Sequence, residues 1–335
     1  MNRSELTERM HNGENSGVEF KRDDLRPEHL AKEMAALLNL KGGHILLGVD
    51  DDRKPIPGAD FDALDQRRLI NYFRDVRQQD CPEPNDRDSW LRLLINTELM
   101  VEDRGRVMPS VGGLLLFGAQ PKRYLPQSGI TAVAYTGTDR DYDTKAGPRT
   151  LRGPIVSLLP ATTDAAGPGH LRMPREFSAA DGAVETGLIA EALDFVRRNT
   201  DVRAWIDPGG TRRERWDYPL DAVREALVNA VAHRDYSITV IDIELALYAD
   251  RLEVISPGRL PNTVTIDKMR AGYRASRNEL IKEILRDYRL IEATGLGVPR
   301  KIIRGMREHN GTEADLIEDG ERFIVRLWKD GLATP

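Results

Sequence analysis

The sequence predicts an α+β chain built from two mixed α/β domains, and three observations carry that prediction. Residues 220–233 form an amphipathic run in which Leu220, Val223, Leu227, Ala230 and Val231 recur at helical spacing, and alternating apolar segments follow it. Nearer the amino terminus, residues 28–40 read as a helix that Gly42 and Gly43 end before an apolar strand at 44–49. Between the two patterns, residues 138–174 are rich in Gly, Pro, Thr and Asp, with breaks at Gly147-Pro148, Leu159-Pro160 and Gly167-Pro168-Gly169. The expected division is an amino-terminal domain over 1–137, an irregular connection over 138–184, and a carboxy-terminal domain over 185–335 that includes a leading helix.

In the amino-terminal domain, Glu14, Glu19 and Lys21 precede the helix that Pro27 opens, whose Leu30, Met34, Leu37 and Leu38 face inward. The following strand delivers Asp50, Asp51 and Asp52 at its carboxyl end. If the two glutamates meet one of these acids in space, they form a hard-oxygen site for Mg2+ or Mn2+, and Lys21 can balance phosphate charge. Adjacent strand residues point to opposite faces, so one of Asp50 and Asp51 would join and the other would not. The plainer reading makes Asp50 to Asp52, with Arg53 and Lys54, a polar hairpin loop.

In the carboxy-terminal domain, residues 185–199 read as a helix with Leu188, Ile189, Ala192, Leu193 and Val196 inward. Glu225 and Asn229, four residues apart, share one face of the next helix. A carboxylate there can take a proton from attacking water, and a carboxamide oxygen can hold a Mg2+ ion that also bridges phosphates. The same spacing also occurs in solvated surface pairs. Strands are expected at 238–247, 252–255 and 322–328, with a turn through Ser256, Pro257, Gly258 and Arg259. Gly295 and Gly297 lead into a helix at 299–309, where backbone amides could approach phosphate, although glycine beside proline also marks a plain turn. His233 and Asp235 read as capping residues rather than as members of a nucleophilic triad.

Composition narrows the function classes. The 335 residues, 40% hydrophobic and 31% charged, suit a soluble globular protein with two cores. No apolar run approaches membrane-spanning length, and the polar start lacks a signal core, so a cytoplasmic protein with no membrane partner is expected. Cys81 is the single cysteine, which rules out an internal disulfide and fits a reducing compartment. A net charge of −5 argues against a protein that coats duplexes. Nucleic-acid contact would then rest on local patches: Arg67, Arg68, Arg74 and Arg77; Lys122 and Arg123 beside Tyr124; and Arg212, Arg213 and Arg215 beside Trp216. Each patch also reads as ordinary solvated surface. Internal repeats, heptads and Cys/His zinc spacings are missing from the sequence.

The runs EALVNAVAHRDYS, SPGRLP and ATGLGVPR, in this order over about residues 218–329, resemble the GHKL ATP-binding fold shared by gyrase, MutL and histidine kinases, in its RecG-like bacterial branch. The resemblance implies a Bergerat-type two-layer α/β sandwich that binds ATP and Mg2+. It makes Glu225 the water-activating base and Asn229 the Mg2+ ligand, puts Gly295 and Gly297 in the phosphate lid, and puts Ser256 and Gly258 in the first glycine box. There the family's adenine-binding Asp and its second glycine correspond to Ser256 and Leu260, and a serine discriminates adenine less sharply than a fixed carboxylate.

The runs ENSGVEFK, LLNLKGGHILLGVDDD and VGGLLLFGAQPKRYLP, over about 14–137, resemble the Schlafen AlbA-like domain. Bacterial members are described as DNA-binding, and animal Schlafens include metal-dependent endoribonucleases that act on tRNA. By resemblance the nuclease acids would be Glu14, Glu19 and one of Asp50 or Asp51. Many RecG-like relatives add a winged helix after the nucleotide fold, whereas this chain stops soon after 322–328, which weakens the expectation of a sequence-specific transcription factor. The expected function is an ATP-binding protein in which the GHKL-type domain regulates a Schlafen-like module on tRNA, other RNA or DNA, as an ATPase and metal-dependent endonuclease of stress or phage defence. A non-catalytic DNA-binding regulator and an ATPase acting on protein partners are the alternatives, and a homo-oligomer is left open.

Overall fold

The computed structural model describes residues 5–6, 18–21, 27–39, 42–47, 51–160, 184–206, 209–261, 264–273, 276–291 and 296–329. Strand β1 (Val18–Lys21), helix α1 (Pro27–Asn39) and strand β2 (His44–Leu47) form a β-α-β unit in which the strands pair in parallel, Glu19 opposite Ile45. Val18 and Leu46 make its small core with Leu6.

Next come α2 (Gln66–Ile70), running on as a π-helical turn through Val76, then α3 (Arg87–Asn96) and the hairpin β3 (Met100–Asp103) and β4 (Arg106–Pro109). Helix α4 (Val111–Phe117) is capped by Ser110, whose side chain accepts from Gly113 N, and every residue of it is buried. Short helix α5 (Pro121–Tyr124) leads to β5 (Ile130–Tyr135) and β6 (Thr144–Leu151).

The second half begins with α6 (Leu188–Asn199) and the exposed hairpin β7 (Val202–Ile206) and β8 (Arg212–Trp216), followed by α7 (Leu220–His233). Strands β9 (Ile243–Leu247) and β10 (Arg251–Pro257) come next, then α8 (Ile266–Arg270) and α9 (Glu279–Asp287). A π-helical segment, Gly297–Arg304, continues as α10 (Gly305–Asn310), which ends at Gly311 with φ +76°. Strands β11 (Asp315–Asp319) and β12 (Arg322–Trp328) complete the fold.

One mixed sheet, ordered β11-β12-β10-β9-β5-β6, carries the molecule, antiparallel throughout except where β5 runs parallel to β9. Its alternation sets the layers. Ile243, Leu245 and Leu247 of β9, Leu252 and Val254 of β10, and Phe323, Val325 and Leu327 of β12 join the main core with α6 and α7. Glu253 points to the other face, where Arg251 and Arg326 pair with it at 2.9 and 2.8 Å. On that face Tyr135 stacks on Tyr248 with ring centroids 5.0 Å apart. The chain is thus a mixed α/β protein with a helical layer on a six-stranded sheet.

The structure departs from the sequence expectations in several places, among them α1, where Met34 and Leu38, expected to face inward, are 52% and 74% exposed. Strands β5 and β6 lie side by side in the sheet, so residue 137 falls inside it, and β6 occupies part of the stretch read as irregular. As the edge strand, β6 needs no second partner, which lets it be polar and hold Pro148 where a central strand could not. The main core runs from Ile56 to Leu327 as one cluster spanning the expected division. The strand expected at 238–247 starts only at Ile243, because the Arg234 guanidinium binds the carbonyls of Ile238 and Ile241 and turns the chain aside. Helix α7, expected to be amphipathic, is buried on nearly all sides.

Several contacts join the early segments to α9, two of them hydrogen bonds. The Asp52 carboxylate accepts a 2.9 Å bond from Ile281 N, and the Tyr72 hydroxyl donates to Asp287 at 2.7 Å. Tyr72 also stacks on Tyr288 at 5.8 Å.

Candidate functional site

Helix α7 places Glu225, Asn229 and His233 at successive i, i+4 positions, so all three share one face, and all three line a cavity between this helix, the sheet and α9. Asn229 Nδ2 donates to Glu225 Oε1 at 3.1 Å, and Lys301 Nζ lies 3.5 Å from Glu225 Oε2. The Asn229 carbonyl oxygen remains as an acceptor, which fits it for a hard cation. Gly297 seats directly on the Glu225 carboxylate: a Cβ built at Gly297 would collide with Oε1. The distant segment Gly297–Arg304 therefore meets the buried Glu225 twice, by the Lys301 ammonium and by the bare backbone of Gly297.

The far wall is apolar, with Val254, Phe323 and Val325 from the sheet and Val264 and Met269 opposite. Ser256 lies within this wall, and its hydroxyl donates to the Ala230 carbonyl at 2.9 Å. With its proton committed, the oxygen presents lone pairs to a ligand as an acceptor. Gly258 adopts φ +115°, and a Cβ there would meet the Arg277 guanidinium and lie 2.7 Å from Asp235 Cβ, so glycine is required.

The residues after α7 hold the cavity together. Arg234, fully buried, donates to the carbonyls of Asp235, Ile238 and Ile241. Asn278 Nδ2 donates to the carbonyls of Ala232 and Arg234 at the end of α7. Asp235 accepts from Ser237 N at 2.9 Å and lies 3.5 Å from Arg277. Burial first, then the charges of Lys282 and Arg277, push the His233 pKa down to about 4, so the ring is neutral near pH 7.

Glu225, Asn229, Ser256, Gly258 and Gly297 are thus brought to one cavity, and Gly295 lies outside the described residues. Sequence reasoning passed over His233 as a wall residue, together with Lys282, Arg286 and Lys301. The signal for His233 was its place eight residues after Glu225; for Lys282 and Arg286 it was their i, i+4 spacing opposite an apolar stripe.

Of the amino-terminal acids, Glu14 and Asp50 lie outside the described residues, as do the side chains of Lys21 and Asp51. Glu19 is 2% exposed on β1, inside rather than on the surface. Asp52, read as part of a polar loop, is fully buried and occupied with α9. Among the described residues no three His, Cys, Asp or Glu side chains gather as a metal-binding group.

The basic patches are largely spent on ion pairs. Arg68 is buried, donating to the Val156 carbonyl at 2.7 Å and to Glu185, which also binds Arg67. Arg74 pairs with Asp75, and Lys122 with Asp242 at 2.6 Å. Arg212 pairs with Glu214, and Arg215 donates to the His309 carbonyl. Among the described residues no helix is long and apolar enough to cross a membrane.

Two stretches of the chain match known family models. Residues 14–93 match the family model described as "Schlafen, AlbA_2", and residues 241–327 match "Putative ATP-dependent DNA helicase recG C-terminal". The second match begins after α7, so Glu225 and Asn229 lie ahead of it. The crystal structure of the DIP2311 protein from Corynebacterium diphtheriae is similar over 98% of this chain and 80% of its own, with a TM-score of 0.51 and 14% identity, a likeness of fold. A search of curated proteins finds no match. The chain therefore joins a Schlafen AlbA_2 domain to an ATPase-like domain of the RecG C-terminal type.

Proposed function

We propose that the cavity over α7 binds ATP with Mg2+, and that its occupancy regulates the action of the Schlafen-like module on nucleic acid. The observation that carries this reading is the convergence of Asn229, Lys301 and Gly297 on the buried Glu225 carboxylate. Bound Mg2+ would neutralise phosphate charge, with the Asn229 carbonyl as its protein ligand. Glu225 would take the proton of a water aimed at the terminal phosphate, with Asn229 and Lys301 holding the carboxylate in place. The apolar wall would hold the base, with Ser256 accepting from its exocyclic amine.

Glu14 and Glu19, with Asp50 or Asp51 and Lys21, are the residues proposed to bind Mg2+ or Mn2+ and cut RNA or DNA. The burial of Glu19 favours a second reading, in which the acids are structural and the module binds DNA without cutting it.

Pure protein incubated with labelled tRNA, single-stranded DNA and duplex DNA, in Mg2+ or Mn2+ and with or without ATP, separates the two. Cutting by the wild type and not by a Glu14→Ala/Glu19→Ala variant supports the nuclease. Binding without cutting under every metal supports the regulator, and neither binding nor ATP affinity would overturn both.

A further inference from the structure

The cavity wall is electrostatically lopsided. Among the described residues that line it, Glu225 is the one acidic side chain, and Arg259, Lys282 and Arg286 are basic. Arg259 is engaged away from the cavity, donating to the Gly320 carbonyl at 3.0 Å and pairing with Glu321 at 3.2 Å. Lys282, paired with Glu279 of its own helix, and Arg286 stay at the cavity wall. They stand one turn apart on α9, on the side opposite Leu280, Ile281, Ile284 and Leu285, which are buried in the core. Helix α9 therefore turns an apolar stripe inward and a cationic stripe toward the cavity.

Lys282 is held close, with its side chain 16% exposed and its ammonium 3.4 Å from Glu279. An ammonium that has given up most of its water at a cavity wall is stabilised by an anion entering that cavity. His233 faces the same space and is neutral, so it offers no counter-charge. Glu225, two turns along α7 from His233, is already paired with Lys301.

The helix is also pre-positioned. Asp52 fixes its first turn through Ile281 N, and Tyr72 holds its last turn through Asp287. A ligand thus meets a helix already fixed at both ends, with the Lys282 ammonium held beside Glu279, which favours affinity.

We propose that Lys282 and Arg286 form a polyphosphate-reading wall, making the cavity selective for nucleoside triphosphates over nucleosides and monophosphates. The inference rests on the nucleotide reading of the same cavity.

Titration calorimetry of ATP, ADP, AMP and adenosine on the full chain tests it, with Lys282→Ala, Arg286→Ala, the double variant and the charge-keeping Lys282→Arg. Wild-type affinity should rise with phosphate number. The double variant should lose ATP affinity by roughly 10- to 100-fold while adenosine changes by less than about 2-fold. Lys282→Arg should keep the wild-type ranking. A double variant with the wild-type ratio of ATP to adenosine affinity, or with both lowered equally, would overturn the proposal and leave the nucleotide reading standing. A wild type that bound none of the four would overturn the nucleotide reading and this one with it.

Discussion

Asp52 and Ile281 stand 229 positions apart in the sequence and are joined by a 2.9 Å hydrogen bond from the backbone amide of α9 to a fully buried carboxylate. The bond satisfies an amide in the first turn of a helix and brings negative charge to the positive end of its dipole. Asp52→Ala should cost about 1 to 3 kcal/mol, because the amide would be left buried without its acceptor. Urea denaturation of the two proteins checks this, and a midpoint unchanged by the substitution would show that the bond contributes nothing.

Glu225 and Asn229 touch, yet the proposed roles separate them. Glu225→Gln should retain ATP binding and lower turnover by about 10²- to 10⁴-fold, the usual range for a general base. Asn229→Ala should weaken Mg2+-ATP binding itself. Turnover and equilibrium binding measured side by side distinguish the two, and equal defects in both variants would contradict the assignment.

Gly297 packs against the Glu225 carboxylate so closely that an added methyl group must displace it. Gly297→Ala should push the carboxylate from Asn229 and Lys301, at a cost of about 1 to 3 kcal/mol for the overpacked site. ATP turnover should fall more steeply than thermal stability. Full activity in this variant would mean that the segment does not rest on Glu225 in the working protein.

The lowered pKa of His233 ties stability to pH. The folded protein keeps the ring neutral down to about pH 4, whereas the unfolded chain takes up the proton near the ordinary value of 6.5. Between those values the unfolded state binds more protons, so stability is full above about pH 6.5 and is lost as pH falls toward 4, by up to about 3 kcal/mol. Denaturation of wild type and His233→Asn across this range should give a shallower slope for the variant. Parallel curves would refute the claim.

Arg68, read from the sequence as part of a nucleic-acid patch, is bound to the Val156 carbonyl and Glu185. Arg68→Ala should destabilise the fold by about 3 kcal/mol or more, since it breaks a buried, charged network. At a temperature where both proteins are folded, nucleic-acid affinity should be unchanged. A selective loss of affinity without loss of stability would return Arg68 to the binding surface.

Features that depend on neighbours a few residues apart are legible in the amino-acid order alone. The i, i+4 spacing of Glu225 and Asn229 put both on one face of α7, and alternation placed β10 and β12, because helix and strand periods are local properties of the backbone. The resemblance of short motifs reached the two domain families for the same reason. That Lys301 and Gly297 close on Glu225, that Asp52 serves α9, and that the polar segment at Thr144–Leu151 is the edge strand of the main sheet emerge when the chain folds. Each of these depends on which surfaces meet when the core closes: burial and pairing across more than 70 residues leave no periodic mark on either partner, and an edge strand needs too little burial to look apolar.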